Sequence, residues 1–212
     1  MLSAKNLSHS FDYDLFQNID IELQPKTSTS ILGISGSGKS TLLHILSSFL
    51  RPKSGEVAFD SKNIYTLDST DLVALRKNQF GIIFQSHYLF RGFSARENLE
   101  VASILADEPV DEALAEKFGV AHVLNQPIST LSGGQQQRIS IVRVLTKKPK
   151  VIFADEPTGN LDKDSAAQVM RTIFEYIEQN NAALLCVTHD EKLAHSCNRV
   201  FRLERNALTQ LK

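Results

Sequence analysis

The sequence predicts an α/β fold with a mainly parallel sheet, and three features of the 212-residue chain support that prediction. Continuous apolar runs typical of strands buried on both faces, such as Val151–Ala154 and Ala183–Val187, alternate with longer stretches of helical periodicity. A glycine-rich segment, Gly33–Ser40, joins one apolar run to one of these stretches. The interval Ala95–Val123 carries helical patterns without a convincing strand. These features predict right-handed crossovers and a helical lobe inserted between two halves of the sheet.

The first half of the chain predicts strands on both sides of the glycine-rich segment. Ile19–Leu23 alternates apolar with acidic residues, as a half-buried strand does, and Ser28–Leu32 is an apolar, β-branched run. A helix is predicted over Lys39–Leu50, where a following proline and glycine stop it. Glu56–Asp60 then predicts a strand, and Asp68–Asn78 predicts a short helix with a polar cap at its start.

The second half predicts two longer helices within a single domain. One helix begins near the glycine pair at residues 133–134 and runs to about Lys147. The other covers Ser165–Asn180 and places its apolar residues on one face: Ala166, Val169, Met170, Ile173, Phe174 and Ile177. We expect one domain over residues 1–212, with 1–84 and 148–212 forming the core and about 85–147 forming the helical lobe.

The composition is that of a soluble globular protein and argues against several other classes. The chain is 42% hydrophobic and 22% charged, and its longest apolar stretch, residues 41–50, is about half the length of a membrane-spanning helix. The net charge of −1 predicts no nucleic-acid partner. Cys186 and Cys197 have no metal-ligand spacing, which indicates a reduced cytoplasmic setting, and no signal peptide is expected.

The segment Gly33–Ser40, GISGSGKS, matches the phosphate-binding pattern G-x-x-x-x-G-K-S between a predicted strand and a predicted helix. Its glycines let backbone N–H groups surround a phosphate, and the following helix directs its positive end at the same anion. Lys39 is predicted to contact the β- and γ-phosphates, and the Ser40 hydroxyl to bind Mg²⁺. The nucleotide-binding residues predicted in this segment are Gly33, Ser35, Gly36, Ser37, Gly38, Lys39, Ser40 and Thr41.

Two carboxylates follow the apolar strand at Val151–Ala154, at the sheet edge where ligands of parallel sheets bind. Asp155 is predicted to hold the Mg²⁺ shell. Glu156 is placed to orient or deprotonate a water molecule. A charged strand end that simply faces solvent is the plainer interpretation, but the phosphate loop in the same chain favours the catalytic one.

A second glycine-rich segment, Leu131–Arg138 with the sequence LSGGQQQR, raises the question of what it binds. It offers a serine, two glycines and a helix N-terminus, a combination that again suits an anion. Two such distant segments of one chain cannot easily hold one nucleotide. If two copies of the chain met head to tail, the phosphate loop of one and the second segment of the other could hold the same nucleotide.

Several motifs resemble, in order and over essentially the whole chain, those of the nucleotide-binding subunits of ABC (ATP-binding cassette) transporters. GISGSGKS looks like the Walker A loop, VIFADE like Walker B, and LSGGQ like the signature segment that closes over the ATP held by the other subunit. The resemblance implies that Gln85 reaches Mg²⁺ and the attacking water, that His189 contacts the γ-phosphate, and that Asn160–Asp162 crosses the dimer interface. The signature residues implied in nucleotide binding are Ser132, Gly133, Gly134 and Gln135.

The same resemblance completes the predicted site. It implies an N-terminal antiparallel β part and an aromatic ring stacked on adenine at Phe11, with Tyr13 as a rival for that role. The predicted catalytic residues are Lys39, Gln85, Glu156 and His189. The predicted metal ligands are Ser40, Gln85 and Asp155.

The resemblance implies an ATPase that uses ATP and Mg²⁺, pairs with a second copy of itself, and drives an integral membrane permease from the cytoplasmic face of the membrane. The stretch ADEPTGNLD (154–162) is most similar to the branch that contains lipoprotein-release, macrolide-export and cell-division ATPases. One alternative is an ATP-driven regulator that moves a membrane protein without transporting a substrate. A soluble ATPase acting on nucleic acid or ribosomes is disfavoured, because the chain has no second cassette, coiled coil or basic face.

Large apolar residues cluster shortly after Gln85, namely Tyr88, Leu89, Phe90 and Phe93. They form either core of the helical lobe or a surface on which a short cytoplasmic helix of the permease docks. The lobe is shorter than the family's usual pattern between Ala106 and Glu116, next to this expected docking surface.

Overall fold

The computed structural model describes all of residues 1–212. It contains ten strands and seven α-helices, joined by loops and short 3₁₀ turns. The strands are β1 (Leu2–Ser10), β2 (Asp14–Leu23), β3 (Ser28–Leu32), β4 (Ser54–Phe59), β5 (Lys62–Asn63), β6 (Phe80–Ile83), β7 (Val151–Asp155), β8 (Ala183–Thr188), β9 (Arg199–Glu204) and β10 (Ala207–Gln210). The helices are α1 (Lys39–Leu46), α2 (Ser69–Asn78), α3 (Ala95–Ala106), α4 (Glu112–Lys117), α5 (Gly133–Thr146), α6 (Lys163–Gln179) and α7 (Glu191–Ser196). None of the helices combines the length and apolar character that crossing a membrane requires.

The strands form two sheets. The larger has the order β10-β9-β3-β8-β7-β6, and its strand pairs from β9 to β6 are all parallel. The smaller, with the order β2-β1-β4-β5, is antiparallel. The predicted mainly parallel core with an N-terminal antiparallel part is therefore confirmed. The parallel order also brings the carboxyl ends of β3, β6, β7 and β8 to one edge.

Helix α1 packs against both sheets. Its apolar side chains, Leu42, Leu43, Ile45 and Leu46, are fully buried in a cluster that contains residues of β1, β2, β3, β7 and β8. Burying one such side chain stabilises the fold by about 1.5–3 kcal/mol. Helix α1 is thus firmly anchored, and the loop that precedes it has a fixed position.

The helical lobe has an apolar cluster of its own, which continues onto one face of the larger sheet. Leu99 of α3, Leu114 of α4 and Ile139 of α5 share this cluster with Ile152 of β7. Ser94 caps α3 in a reciprocal pair of hydrogen bonds with its N3 glutamate. As predicted, residues 95–123 contain no strand.

The helix after the phosphate loop is shorter than predicted, because α1 ends at Leu46 instead of Leu50. Ser48 has a left-handed backbone, with φ 71°, which a continuing helix does not allow. Arg76 donates hydrogen bonds to the Ser48 carbonyl at 2.6 Å and to its hydroxyl at 2.9 Å. This contact with α2 holds the chain in a turn at Ser48, and the helix therefore ends four residues before the predicted end.

Candidate functional site

The phosphate loop connects β3 to α1, and its glycines are needed for conformation and for space. Gly36 and Gly38 have φ of 79° and 96°, which residues with a side chain rarely adopt. A Cβ at Gly33 would lie 2.7 Å from the Ser37 hydroxyl oxygen and 2.8 Å from the Leu203 carbonyl oxygen. A loop of this kind, before a helix N-terminus, forms a concave anion-binding surface.

The Lys39 side chain lies within this loop. Its Nζ donates hydrogen bonds to the carbonyl oxygens of Gly33 and Ile34, each at 2.8 Å, and the residue is only 7% exposed. Burial lowers the pKa of Lys39, whereas the neighbouring carboxylates of Glu156 and Asp155 act to raise it. The ammonium group therefore lies against the loop, close enough to both acids to feel their charge, and it suits a phosphate chain.

Asp155 ends β7, which is separated from β3 by a single strand, β8. Burial raises the pKa of Asp155, while the nearby Ser40 hydroxyl and His44 imidazole act to lower it. The structure contains no cluster of three or more His, Cys, Asp or Glu side chains that could enclose a metal ion. A serine hydroxyl beside one carboxylate fits Mg²⁺, which usually keeps several waters and binds substrate phosphates.

Glu156 is held by the end of the neighbouring strand. Its Oε2 accepts a hydrogen bond from the Thr188 hydroxyl at 2.9 Å, and its Oε1 accepts one from the His189 backbone N–H at 2.9 Å. His189 Nδ1 lies 2.7 Å from the same Oε1. Glu156 also has a left-handed backbone, with φ 47°, and such strain is concentrated at functional sites. Two residues predicted from separate motifs are thus in direct contact.

The predicted catalytic residues meet at one edge of the larger sheet. Gln85 is exposed two residues after β6, Asp155 ends β7, and His189 follows β8. The phosphate loop follows β3 at the same edge. In parallel sheets this carboxyl edge is where ligands bind.

The signature segment lies elsewhere on the chain. Ser132 caps α5, accepting a hydrogen bond from the Gln135 N–H at 3.2 Å and donating its own N–H to the Gln135 side chain at 2.9 Å. A Cβ at Gly134 would lie 3.1 Å from Leu161, so the segment packs against the residues that follow β7. A cavity of about 490 Å³ beside the phosphate loop has no residue of this segment in its lining. One chain does not bring the two glycine-rich segments together.

The same cavity distinguishes the two aromatic candidates for adenine stacking. Tyr13 lines the cavity, together with Leu15 and residues of the phosphate loop, and Phe11 does not. The Phe11 ring instead packs edge-on against His9, with 4.9 Å between ring centroids. Both side chains are exposed. Tyr13 is therefore positioned to contact a ligand in this cavity, while stacking by Phe11 stays a prediction.

Comparison with known proteins identifies the family. Residues 16–159, well over half of the chain, match a protein-family model described as ABC transporter. The chain belongs to the ABC transporter family.

Relatives of this ABC protein include export and lipoprotein-release components. The macrolide export ATP-binding/permease protein MacB of Wolinella succinogenes is 39% identical over 99% of this chain and 34% of its own length. The pyoverdine export ATP-binding/permease protein PvdT of Pseudomonas fluorescens is 41% identical over 96% of this chain and 33% of its own length. The lipoprotein-releasing system ATP-binding protein LolD of Geobacter metallireducens is 38% identical over 90% of this chain and 87% of its own length. The chain thus spans about a third of both export proteins, and the predicted branch resemblance is confirmed.

Solved structures share the fold over its full length. The dimeric structure of MJ0796, described as a bacterial ABC transporter cassette, gives a TM-score of 0.88 at 29% identity and covers 100% of this chain and 99% of that one. A dimeric post-hydrolysis state of MJ0796 bound to ADP and Pi gives the same TM-score. The predicted ABC-type fold is confirmed, and the chain is an ATPase.

Two contacts in this ABC ATPase are not predicted by the sequence. The Thr188 hydroxyl, which donates to Glu156, also accepts a hydrogen bond from the Asp190 N–H at 3.0 Å. Asn160 Nδ2 lies 3.1 Å from His87 Nε2 and so joins the segment after β7 to the segment after β6. Residues this far apart in the chain leave no local pattern. The one available signal was the position of Thr188 beside the predicted catalytic residue His189.

Proposed function

We propose that this chain is the ATP-hydrolysing subunit of a membrane transporter complex, in which two copies close head to tail around two ATP molecules. The observation that carries the proposal is the separation of the two glycine-rich segments. The catalytic residues share one sheet edge, whereas Ser132–Gln135 begins a different helix and lies outside the cavity of the phosphate loop. A second copy would supply the phosphate that this second helix N-terminus suits.

The proposed chemistry is phosphoryl transfer to water. The phosphate loop and Lys39 bind the β- and γ-phosphates, Glu156 orients and deprotonates the water, and His189 contacts the γ-phosphate. The proposed Mg²⁺ ligands are Ser40, Gln85 and Asp155. Held by these residues, Mg²⁺ would supply positive charge that neutralises the phosphates. Positioning and electrostatic stabilisation account for most of the rate enhancement, since the protein forms no covalent bond with the phosphoryl group.

The proposed partner is an integral membrane permease of the export or lipoprotein-release type, which holds the chain at the cytoplasmic face of the membrane. Relatives described as ATP-binding/permease proteins and as a lipoprotein-releasing ATP-binding protein support this choice. The alternative is a regulator that moves a membrane protein without transport. Both functions use the same ATPase site and differ in what the membrane partner does.

Co-purification tests this function. The chain would be co-expressed with each membrane protein encoded beside its gene, extracted in detergent, and assayed for ATP hydrolysis. We expect one membrane protein to co-purify and to change the ATPase rate. Substrate movement in proteoliposomes would favour transport over regulation, and the absence of any co-purifying membrane protein would contradict the proposal.

Thr188→Val should slow hydrolysis without weakening nucleotide binding. Because the Thr188 hydroxyl accepts from the Asp190 N–H, its own proton is directed at Glu156, and valine removes this bond while keeping the shape. Hydrogen bonds to charged groups contribute about 1.5–3 kcal/mol, so kcat should fall about tenfold with KM nearly unchanged. Thr188→Ser keeps the hydroxyl and should retain most of the activity. An equal loss in both variants would argue against a positioning role.

Alanine variants decide which aromatic residue stacks on adenine. Tyr13 lines the cavity beside the phosphate loop, and stacking of a base on an aromatic ring contributes about 1–3 kcal/mol. We expect Tyr13→Ala to raise the Kd for a fluorescent ATP analogue about tenfold, and Phe11→Ala to change it little. The reverse pattern would assign stacking to Phe11, and two unchanged affinities would exclude an aromatic platform at both positions.

A further inference from the structure

The turn between β9 and β10 forms one wall of the cavity beside the phosphate loop. Glu204, Arg205 and Asn206 line this cavity together with Gly36 and Ser37 of the loop. The turn lies near the end of the chain and the loop near its beginning, so no local motif connects them. A ligand held by the phosphate loop therefore has a second neighbour that the sequence did not predict.

The backbone of this turn is one that arginine rarely adopts. Arg205 and Asn206 are its two central residues, since β9 ends at Glu204 and β10 begins at Ala207. Both are left-handed, with φ 48° and 66°, as in a type I′ hairpin turn. Such turns favour asparagine, aspartate and glycine, so Asn206 suits its position and Arg205 does not. Side chains that oppose the local backbone in this way are concentrated at functional sites.

The guanidinium group of Arg205 has no ionic partner in the fold. Arg202, the other arginine that lines the cavity, pairs with Glu191 at 3.4 Å. Arg205 belongs to none of the five ion pairs of the structure, and it is exposed. The Arg205 side chain can therefore bind a ligand in the cavity without breaking an existing ion pair.

Hydrogen bonds fix the turn against the loop that carries Tyr13. The Asn206 side chain donates from Nδ2 to the Asp14 carbonyl oxygen at 2.6 Å, and the Gln17 backbone N–H donates to the Asn206 carbonyl oxygen at 3.0 Å. Gln17 Nε2 donates in turn to the Asp14 carboxylate at 2.7 Å. These three bonds form a closed cycle, so Tyr13 and Arg205 are presented to the same cavity by one connected unit.

The phosphates and the nucleoside of ATP need different parts of this cavity. The phosphate loop and the N-terminus of α1 suit the phosphates, which leaves the part lined by Tyr13, Asp14 and the turn for the nucleoside. A nucleoside carries no charge that a cation must neutralise. A guanidinium group, however, is planar, stacks on aromatic rings and donates hydrogen bonds from its edge. A purine base offers both a ring face and ring nitrogens that accept hydrogen bonds.

We propose that Arg205 binds the purine base of ATP, and that Asn206 positions the turn for this contact. The proposal rests on the proposed function, in which the phosphate loop holds the phosphates, and it adds the residue that recognises the base. A guanidinium group also binds phosphate. Lys39 and the backbone N–H groups of the loop already serve the phosphates, so Arg205 is assigned to the base.

Arg205→Asn tests this contact, because asparagine suits the turn and lacks the guanidinium group. Binding would be measured in the Glu156→Gln background, so that ATP is not consumed. We expect the melting temperature to stay the same or rise, and the Kd for ATP to rise about tenfold. Inorganic tripolyphosphate, which has the phosphates without a nucleoside, should bind this variant as tightly as it binds the parent. Arg205→Lys keeps the charge without the planar group and should lose most of the same affinity.

Lys26→Asn is the matched control. Lys26 is an exposed cation with a left-handed backbone, φ 57°, in the turn between β2 and β3 and outside the cavity. This variant should keep the affinity of the parent for ATP. Asn206→Gly keeps a residue that suits the turn but removes the bond to Asp14. We expect it to weaken the binding of ATP and to leave the binding of tripolyphosphate unchanged.

An unchanged affinity of Arg205→Asn for ATP would overturn the proposal and leave the proposed function intact. Equal losses for ATP and tripolyphosphate would assign Arg205 to the phosphates. Full affinity in Arg205→Lys would show that only the charge matters, and either result would equally overturn the contact with the base. If the parent bound neither ATP nor tripolyphosphate, the proposed function itself would be contradicted.

Discussion

Glu156→Gln is expected to retain ATP binding and to lose nearly all turnover. The carboxylate is fixed by Thr188 and His189 at 2.7–2.9 Å, so glutamine can occupy nearly the same position. An amide does not accept a proton from water, and loss of a positioned general base slows a reaction about 10²–10⁴-fold. Steady-state phosphate release and equilibrium binding of a fluorescent ATP analogue would be measured on the same preparation.

The matched control for this variant is Glu178→Gln, which makes the same chemical change at an exposed position of α6. The control should hydrolyse ATP at the wild-type rate. Hydrolysis near the wild-type rate in Glu156→Gln would rule out Glu156 as the base. Loss of binding along with turnover would instead indicate that Glu156 supports the nucleotide site as a whole.

Ser132→Arg should abolish ATP-dependent dimerisation while leaving binding to the phosphate loop largely intact. In the Glu156→Gln background, ATP should convert the chain from monomer to dimer, since hydrolysis no longer separates the copies. Ser132 is exposed at the N-terminus of α5, and arginine there adds bulk and charge where the phosphate of the second copy would bind. Sedimentation velocity or light scattering would report the change in mass.

The control for Ser132→Arg is Ser94→Arg. Ser94 also caps its helix through a capping box, so both variants lose a cap that contributes about 1 kcal/mol. Only Ser132→Arg should lose the dimer. If Ser132→Arg dimerises like its parent, the signature segment does not close over the nucleotide of a second copy.

The sequence predicted the elements whose chemistry is local. The spacing of glycines, Lys39 and Ser40 describes a loop that needs no distant contact to be recognised. The buried strand before Asp155 and the capped helix after Asp68 were equally clear, because each has its pattern within about ten residues.

The sequence did not predict elements that depend on distant contacts or irregular pairing. Strand β1 pairs with both β2 and β4 but shifts register near Asn6, which has φ 52°, and this irregularity interrupts the alternation that marks a strand. The end of α1 is set by Arg76, which is 28 residues from Ser48. Contacts that hold the site, such as Thr188 with Glu156, depend on which strands become neighbours.

The position of the signature segment in the fold could not be predicted from the sequence. Two anion-binding segments in one chain predict either one shared ligand or a second copy. The structure places Ser132–Gln135 outside the cavity of the phosphate loop, which favours the second copy.

Cross-linking between two differently labelled chains tests the head-to-tail dimer most directly. One preparation would carry Ser35→Cys in the phosphate loop, and the other Ser132→Cys in the signature segment, both with Glu156→Gln. Native Cys186 and Cys197 are buried and should not react. With Mg²⁺ and ATP, a short bifunctional reagent should give a covalent dimer in the mixture and none in either preparation alone. A dimer formed as readily within one preparation, or no ATP-dependent product in the mixture, would contradict the account.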